Sequence, residues 1–229
     1  MGVFILRDKN RSIIMSYINL RRLIGILGIL LPFTCMAGGF IFSDLPVQNS
    51  ISFYYHTNMR DFFIGLMAVV SLFLITYKGY ETIDIIITTI SGIAGLGIAF
   101  FPCLDYVSLT NPLGIFQLSA SVSNKIHIGC ALVFFILLAV NSIFLFTLSK
   151  LKDIPRKSEK YRRNFIYRIC GIIIFLCIIL LLIFLQVYST EEIEKHKIVL
   201  FFETIMLIAF GISWLIKGET IYKDRLKKV

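Results

Sequence analysis

Apolar positions along this chain gather into six runs of roughly 20 residues, the length of a helix that crosses a bilayer: Leu23 to Phe42, Asp61 to Tyr77, Ile83 to Cys103, Ile126 to Ser149, Phe165 to Tyr188 and Ile198 to Ile216. The second is short and carries charges at both ends. The pattern predicts an all-α, polytopic membrane protein, a six-transmembrane-helix bundle. Residues 1–22 read as a basic N-terminal segment, 23–217 as the transmembrane domain and 218–229 as a basic tail. Arg21-Arg22 before an apolar run, with Ala37-Gly38-Gly39 beyond it, has the general look of a signal peptide; the run is nearer span length, so a retained helix is expected.

Composition narrows the class. Hydrophobic residues make up 57% of the chain, with 21 Phe and one Trp, and mean hydropathy is +0.84, above what a soluble globular domain carries. With 229 residues, six spans leave no room for a separate soluble catalytic domain. Any activity therefore belongs to the helices and their short loops.

Charge assigns the orientation, because Lys and Arg resist translocation. With a cytoplasmic N-terminus, the inner segments hold 19 of the 23 basic residues, and only Arg60, Lys125, Lys195 and Lys197 face outward. Both termini are then cytoplasmic, which fits a multi-pass protein of a prokaryotic cytoplasmic (inner) membrane. The +9 formal charge follows from this topology and from attraction to anionic lipid, so nucleic-acid binding is not needed to explain it. The cluster Lys150, Lys152, Arg156, Lys157, Lys160, Arg162 and Arg163 reads as a stop-transfer loop, with an acidic headgroup site as the alternative.

Small residues mark close helix approaches: Gly25 and Gly28 in the first span, and Ser91, Gly92, Gly95 and Gly97 in the third. Phe62-Phe63, Met67 and Lys78-Gly79 recur at the same offsets as Phe201-Phe202, Met206 and Lys217-Gly218, a repetition expected from convergence in so apolar an alphabet. The five cysteines lack metal or redox spacing and read as packing residues; only Cys35 and Cys103 are placed for a disulfide.

Three ionisable residues, Asp61, His127 and Glu203, sit within about five residues of the outer ends of spans two, four and six. A charge there is expensive unless it has a partner or a task. The loop before span two adds Ser52, Tyr54, Tyr55, His56 and Arg60, the densest polar stretch in the chain. Arg60 and Asp61 are adjacent, so on a helix they point about 100° apart and each needs a partner elsewhere. Glu203 is the natural partner for Arg60, and His127 would face Asp61 or Glu203.

Two chemistries fit such a group. His127, oriented by a carboxylate, would act as general base on water or on Ser52 toward a lipid ester while Arg60 holds a phosphate, with Tyr54, Tyr55 and His56 as further ligand-binding residues. Alternatively His127, Asp61 and Glu203 would bind a divalent metal such as zinc, whose water is the nucleophile. An ion-pair network that fixes helix register is the structural alternative.

Ser50-Ile51-Ser52 before Arg60-Asp61, His127-Ile128-Gly129-Cys130-Ala131 after Phe101-Pro102, and Phe202-Glu203-Thr204 with Phe210-Gly211 resemble an uncharacterised prokaryotic six-span family, a domain of unknown function. More distantly the chain is similar to the DRAM autophagy modulators and their GPI-anchor lipid-remodelling relatives. Asp61 stands where those relatives have Glu, and Cys130 falls between the Gly and the Ala of their motif. The resemblance implies lipid-related membrane biology on the outer or lumenal face. The expectation is an outward polar pocket, built from spans two, four and six, that binds or processes a lipid headgroup. A lipid hydrolase or remodelling enzyme is one form of it, a non-catalytic lipid-binding or scaffold protein another, and a small transporter a third.

Overall fold

The computed structural model describes residues 2–79, 81–104, 114–148 and 158–221, with side chains from residue 15 onward. Lys150, Lys152, Arg156, Lys157 and residues 222–229 of the basic tail lie outside the described residues. Every regular element among the described residues is helical. In order they are α1 (Gly2–Ser43), a single 3-10 turn (Ser52–His56), α2 (Arg60–Thr76), α3 (Thr82–Phe100), α4 (Ala120–Val140) running into a π-helical turn (Asn141–Leu145), α5 (Glu159–Val187), a short α6 (Thr190–Lys195) and α7 (Ile198–Lys217).

Five of these are apolar and long enough to cross a membrane: Met15–Ser43 within α1, α3, Ala120–Leu145, α5 and α7. They mark an integral membrane protein. The remaining apolar run forms α2, whose 17 residues extend about 26 Å, short of the roughly 30 Å hydrocarbon core. Helix α1 passes without a break through the expected boundary at residue 22, so the basic segment before it is helical as well.

Neighbours follow chain order. Helix α1 packs on α2, α2 on α3, α3 on α4, α4 on α5 and α5 on α7, and α7 returns to α1. The small residues sit at these crossings. A Cβ on Gly25 would lie 2.7 Å from the Gly211 carbonyl oxygen, and one on Gly211 would lie 2.6 Å from that of Gly25, so α1 and α7 touch backbone to backbone. Gly92 stands in the same relation to the Ser71 carbonyl across α3 and α2, at 2.5 Å. The aromatic and Met positions of the repeated motif share their burial: Phe63, Met67, Phe202 and Met206 are buried and Phe62 and Phe201 face outward, whereas Lys78 is exposed and Lys217 buried. A hydroxyl pair, Ser142 to Ser213 at 3.1 Å, joins the π turn to α7. None of the five cysteines is in a disulfide, so Cys35 and Cys103 are not bridged.

The helices alternate in direction, which gives the molecule two ends. At one, basic side chains close helix C-termini, where carbonyls lack intrahelical donors and a cation is favoured. Arg22 Nε donates to the Gly218 carbonyl at 2.7 Å, and Lys160 Nζ donates to those of Phe146 and Leu148 at 3.2 and 3.1 Å. Lys217 lies over the Phe146 ring at 4.8 Å, and Arg21 over Tyr17 at 4.6 Å. Beneath them Trp214 meets Tyr77 and Phe146 edge to face at 5.0 and 5.1 Å. Asp84 is buried and closes the start of α3 by accepting the Glu81 N–H at 3.2 Å. The opposite end carries the candidate site.

Candidate functional site

Side chains from two helix starts stitch this end to the connecting segments. Along the first turns of α4, Ser123 Oγ donates to the Pro102 carbonyl at 2.8 Å, Asn124 Oδ1 accepts the Leu104 N–H at 2.9 Å, and His127 Nδ1 donates to the Phe101 carbonyl at 2.7 Å. Spacings of one, three and four residues put these groups on adjoining faces of one helix, so they grip a single stretch of chain. From the 3-10 turn, His56 Nε2 donates to the Cys103 carbonyl at 2.9 Å. Both imidazoles thus hold the segment that leaves α3.

The start of α7 holds the other loop. Lys197 adopts a left-handed conformation (φ 52°) that reverses the chain into the helix. Its ammonium donates to Asn49 Oδ1, and the Asn49 carbonyl accepts the Leu200 N–H at 3.1 Å. One turn further, Glu203 Oε2 accepts the Ile51 N–H at 2.6 Å. This anchors the residues that open the 3-10 turn, where Ser52, Tyr54 and Tyr55 are all buried. Burial pushes the Tyr54 phenol above its ordinary pKa; its oxygen accepts the Gln48 N–H at 3.4 Å.

His127 and Glu203 both line one cavity of about 280 Å³. Ser50, Ser52, Cys103, His127 and Glu203 line its polar part. The rest is apolar and comes from α4 (Ile128, Leu132, Phe135), α5 (Ile178, Leu182, Leu185) and α7 (Met206). The third wall is therefore α5, in place of the second span expected from the sequence. Helix α2 faces Glu203 across a neighbouring void of about 20 Å³ lined by Phe63 and Met67. From Ile169 to Leu185 α5 is apolar throughout and carries no mark of which neighbour it will face, so it had no signature as a wall.

Two further expectations are corrected. Arg60 does not pair with Glu203: its Nη2 donates to the Tyr55 hydroxyl at 2.8 Å and its guanidinium lies 4.5 Å from that ring. Arg60 and Tyr55 line a separate hollow with Phe100 and Gln117, away from His127. Asp61 is exposed in the first turn of α2, where the helix dipole favours an acid, and it lines neither cavity. It reaches neither His127 nor Glu203.

The metal expectation fails on the same geometry. Among the described residues no group of three His, Cys, Asp or Glu side chains converges as a metal site. One Glu203 oxygen is engaged by Ile51, one His127 nitrogen by Phe101, and Asp61 stands apart. The donor set does not fit zinc.

Chemically, the site offers acceptors. With Nδ1–H committed to Phe101, the neutral His127 ring keeps Nε2 as a lone-pair acceptor, and Glu203 contributes carboxyl oxygens. Among the described residues no hydrogen bond joins Ser52 to His127. No family model, curated protein or solved structure matches this chain.

Proposed function

We propose that this chain is a six-crossing membrane protein, with α2 as the sixth and shortest crossing, whose cavity between α4, α5 and α7 binds the polar end of a membrane lipid. The observation that carries the reading is the cavity lining: His127, Glu203 and Ser52 gathered at one end of a space otherwise walled by Leu, Ile, Phe and Met. A few convergent polar groups in an apolar cavity are the general form of a small-molecule site. The distribution of Lys and Arg supports cytoplasmic termini in a prokaryotic inner membrane, with the cavity toward the outer face. The resemblance to lipid-remodelling membrane proteins points the same way.

Geometry favours retention of a lipid over its hydrolysis. A serine nucleophile needs a base within hydrogen-bond reach, and Ser52 and His127 are not bonded. Native mass spectrometry of the detergent-purified protein tests the proposal. A stoichiometric lipid that His127→Ala loses, with the protein still monodisperse, supports it. A lipid-free wild type, or retention unchanged in the variant, overturns it. Labelling of single cysteines placed at residues 61 and 219, from outside and from inside intact cells, tests the orientation.

A second reading is structural, and a specific observation favours it. Glu203 and His127 each hold a backbone group of a connecting segment. On that reading their loss lowers stability and no ligand is lost.

A further inference from the structure

The cavity has a buried floor and an exposed rim. Phe135, Ile178 and Met206 at the floor are buried, whereas Ile128 and Leu132 of α4 and Leu182 and Leu185 of α5 are exposed, Ile128 by 57% and Leu185 by 47%. All four rim residues are apolar and lie within helices that cross the membrane. The mouth therefore faces acyl chains, between α4 and α5. From His127 to Phe135 the lining runs eight residues along α4, about 12 Å, and from Ile178 to Leu185 it runs about 10 Å along α5. At about 280 Å³ the space lies at the lower bound for a ligand cavity, enough for part of one chain and a small head.

The polar end selects the head. Among the described residues its lining contains no Lys or Arg. Arg60 belongs to the other hollow, and Lys197 is engaged with Asn49 outside the lining. A phosphate brought to this wall would meet the Glu203 carboxyl and an acceptor nitrogen, with the Ser50 and Ser52 hydroxyls as donors but no cation among the described lining residues to offset its charge. A hydroxyl would meet partners to which it can donate.

We propose, resting on the lipid-binding reading above, that the cavity takes a single-chain amphiphile with an uncharged, hydroxyl-bearing head, of the monoacylglycerol class, entering sideways from the bilayer between α4 and α5. The Ile128–Leu132 and Leu182–Leu185 rims admit the chain, and His127 and Glu203 accept from the head.

The test uses the full chain in nanodiscs with three probes bearing a photoreactive diazirine in the acyl chain: a monoacylglycerol, a lysophosphatidate and a two-chain phosphatidylethanolamine. Labelled peptides are identified by mass spectrometry. The monoacylglycerol is expected to label the lining around Leu132, Leu182 and Met206, and the lysophosphatidate about tenfold less. Leu182→Trp, at an exposed rim position, is expected to cut labelling by about tenfold, with an unchanged size-exclusion profile; Leu185→Trp serves if the first variant does not fold. Equal or stronger labelling by the lysophosphatidate, or labelling indifferent to the rim tryptophan, overturns the proposal and leaves lipid binding standing. No labelling of the lining by any probe overturns both.

Discussion

Glu203, in the second turn of α7, accepts the backbone N–H of Ile51 at 2.6 Å, closing a contact across 152 positions of chain. Remove the carboxyl group and a half-buried N–H loses its acceptor, a loss that costs about 1–3 kcal/mol. Glu203→Ala is expected to destabilise by that amount and Glu203→Gln, which keeps an acceptor oxygen, by less than half of it. Thermal unfolding in detergent measures both. Equal losses would show that the hydrogen bond is not what secures the loop.

Two variants of His127 test stability and the proposed lipid binding separately. Asn places its amide N–H near the position of Nδ1, so His127→Asn is expected to keep the bond to Phe101 while removing the Nε2 acceptor from the cavity. Stability should stay within about 0.5 kcal/mol of wild type as lipid retention falls. His127→Ala should lose both. Retention by the Asn variant at the wild-type level would remove Nε2 from the site.

Gly211 and Gly129 make a paired test of packing. A methyl group on Gly211 meets the Gly25 carbonyl oxygen at 2.6 Å, and backbone cannot step aside as a flexible side chain can. A methyl on Gly129 meets nothing within 4 Å. Gly211→Ala is expected to destabilise by about 2 kcal/mol or more, an overpacking cost, and Gly129→Ala to be neutral or stabilising by up to about 1 kcal/mol. Guanidinium or SDS unfolding followed by circular dichroism reads the difference.

Tyr54 predicts an alkaline limit. Burial raises its folded-state pKa above the unfolded value of about 10, so its contribution is fully present below pH 10 and is lost as pH rises through the folded value. Stability measured from pH 9 to 11.5 is expected to fall in the wild type and to fall less steeply in Tyr54→Phe. Parallel slopes would refute the assignment.

The helical architecture was legible because an apolar run of span length has only one local way to satisfy its backbone in lipid, and each of the six runs became one of α1 to α5 and α7. Gly25, Gly92 and Gly95 were readable as points of close approach, since a missing side chain is visible in the letters. Alternation of direction was enough to bring His127 and Glu203 to one end. The short α2 was legible as short, and its charged ends as its limits.

Partners were not legible. His127 and Glu203 were matched with other side chains and His56 with a ligand, yet each binds main chain, and a carbonyl or N–H of Phe101, Ile51 or Cys103 looks the same in any sequence. Arg60 turned to the ring five residues behind it, and the cavity's third wall came from α5. Hydropathy and backbone hydrogen bonding act along a single helix, so the letters alone settle where helices run. Which face meets which neighbour depends on side-chain volumes matched across a contact, and those meet only once the chain has folded.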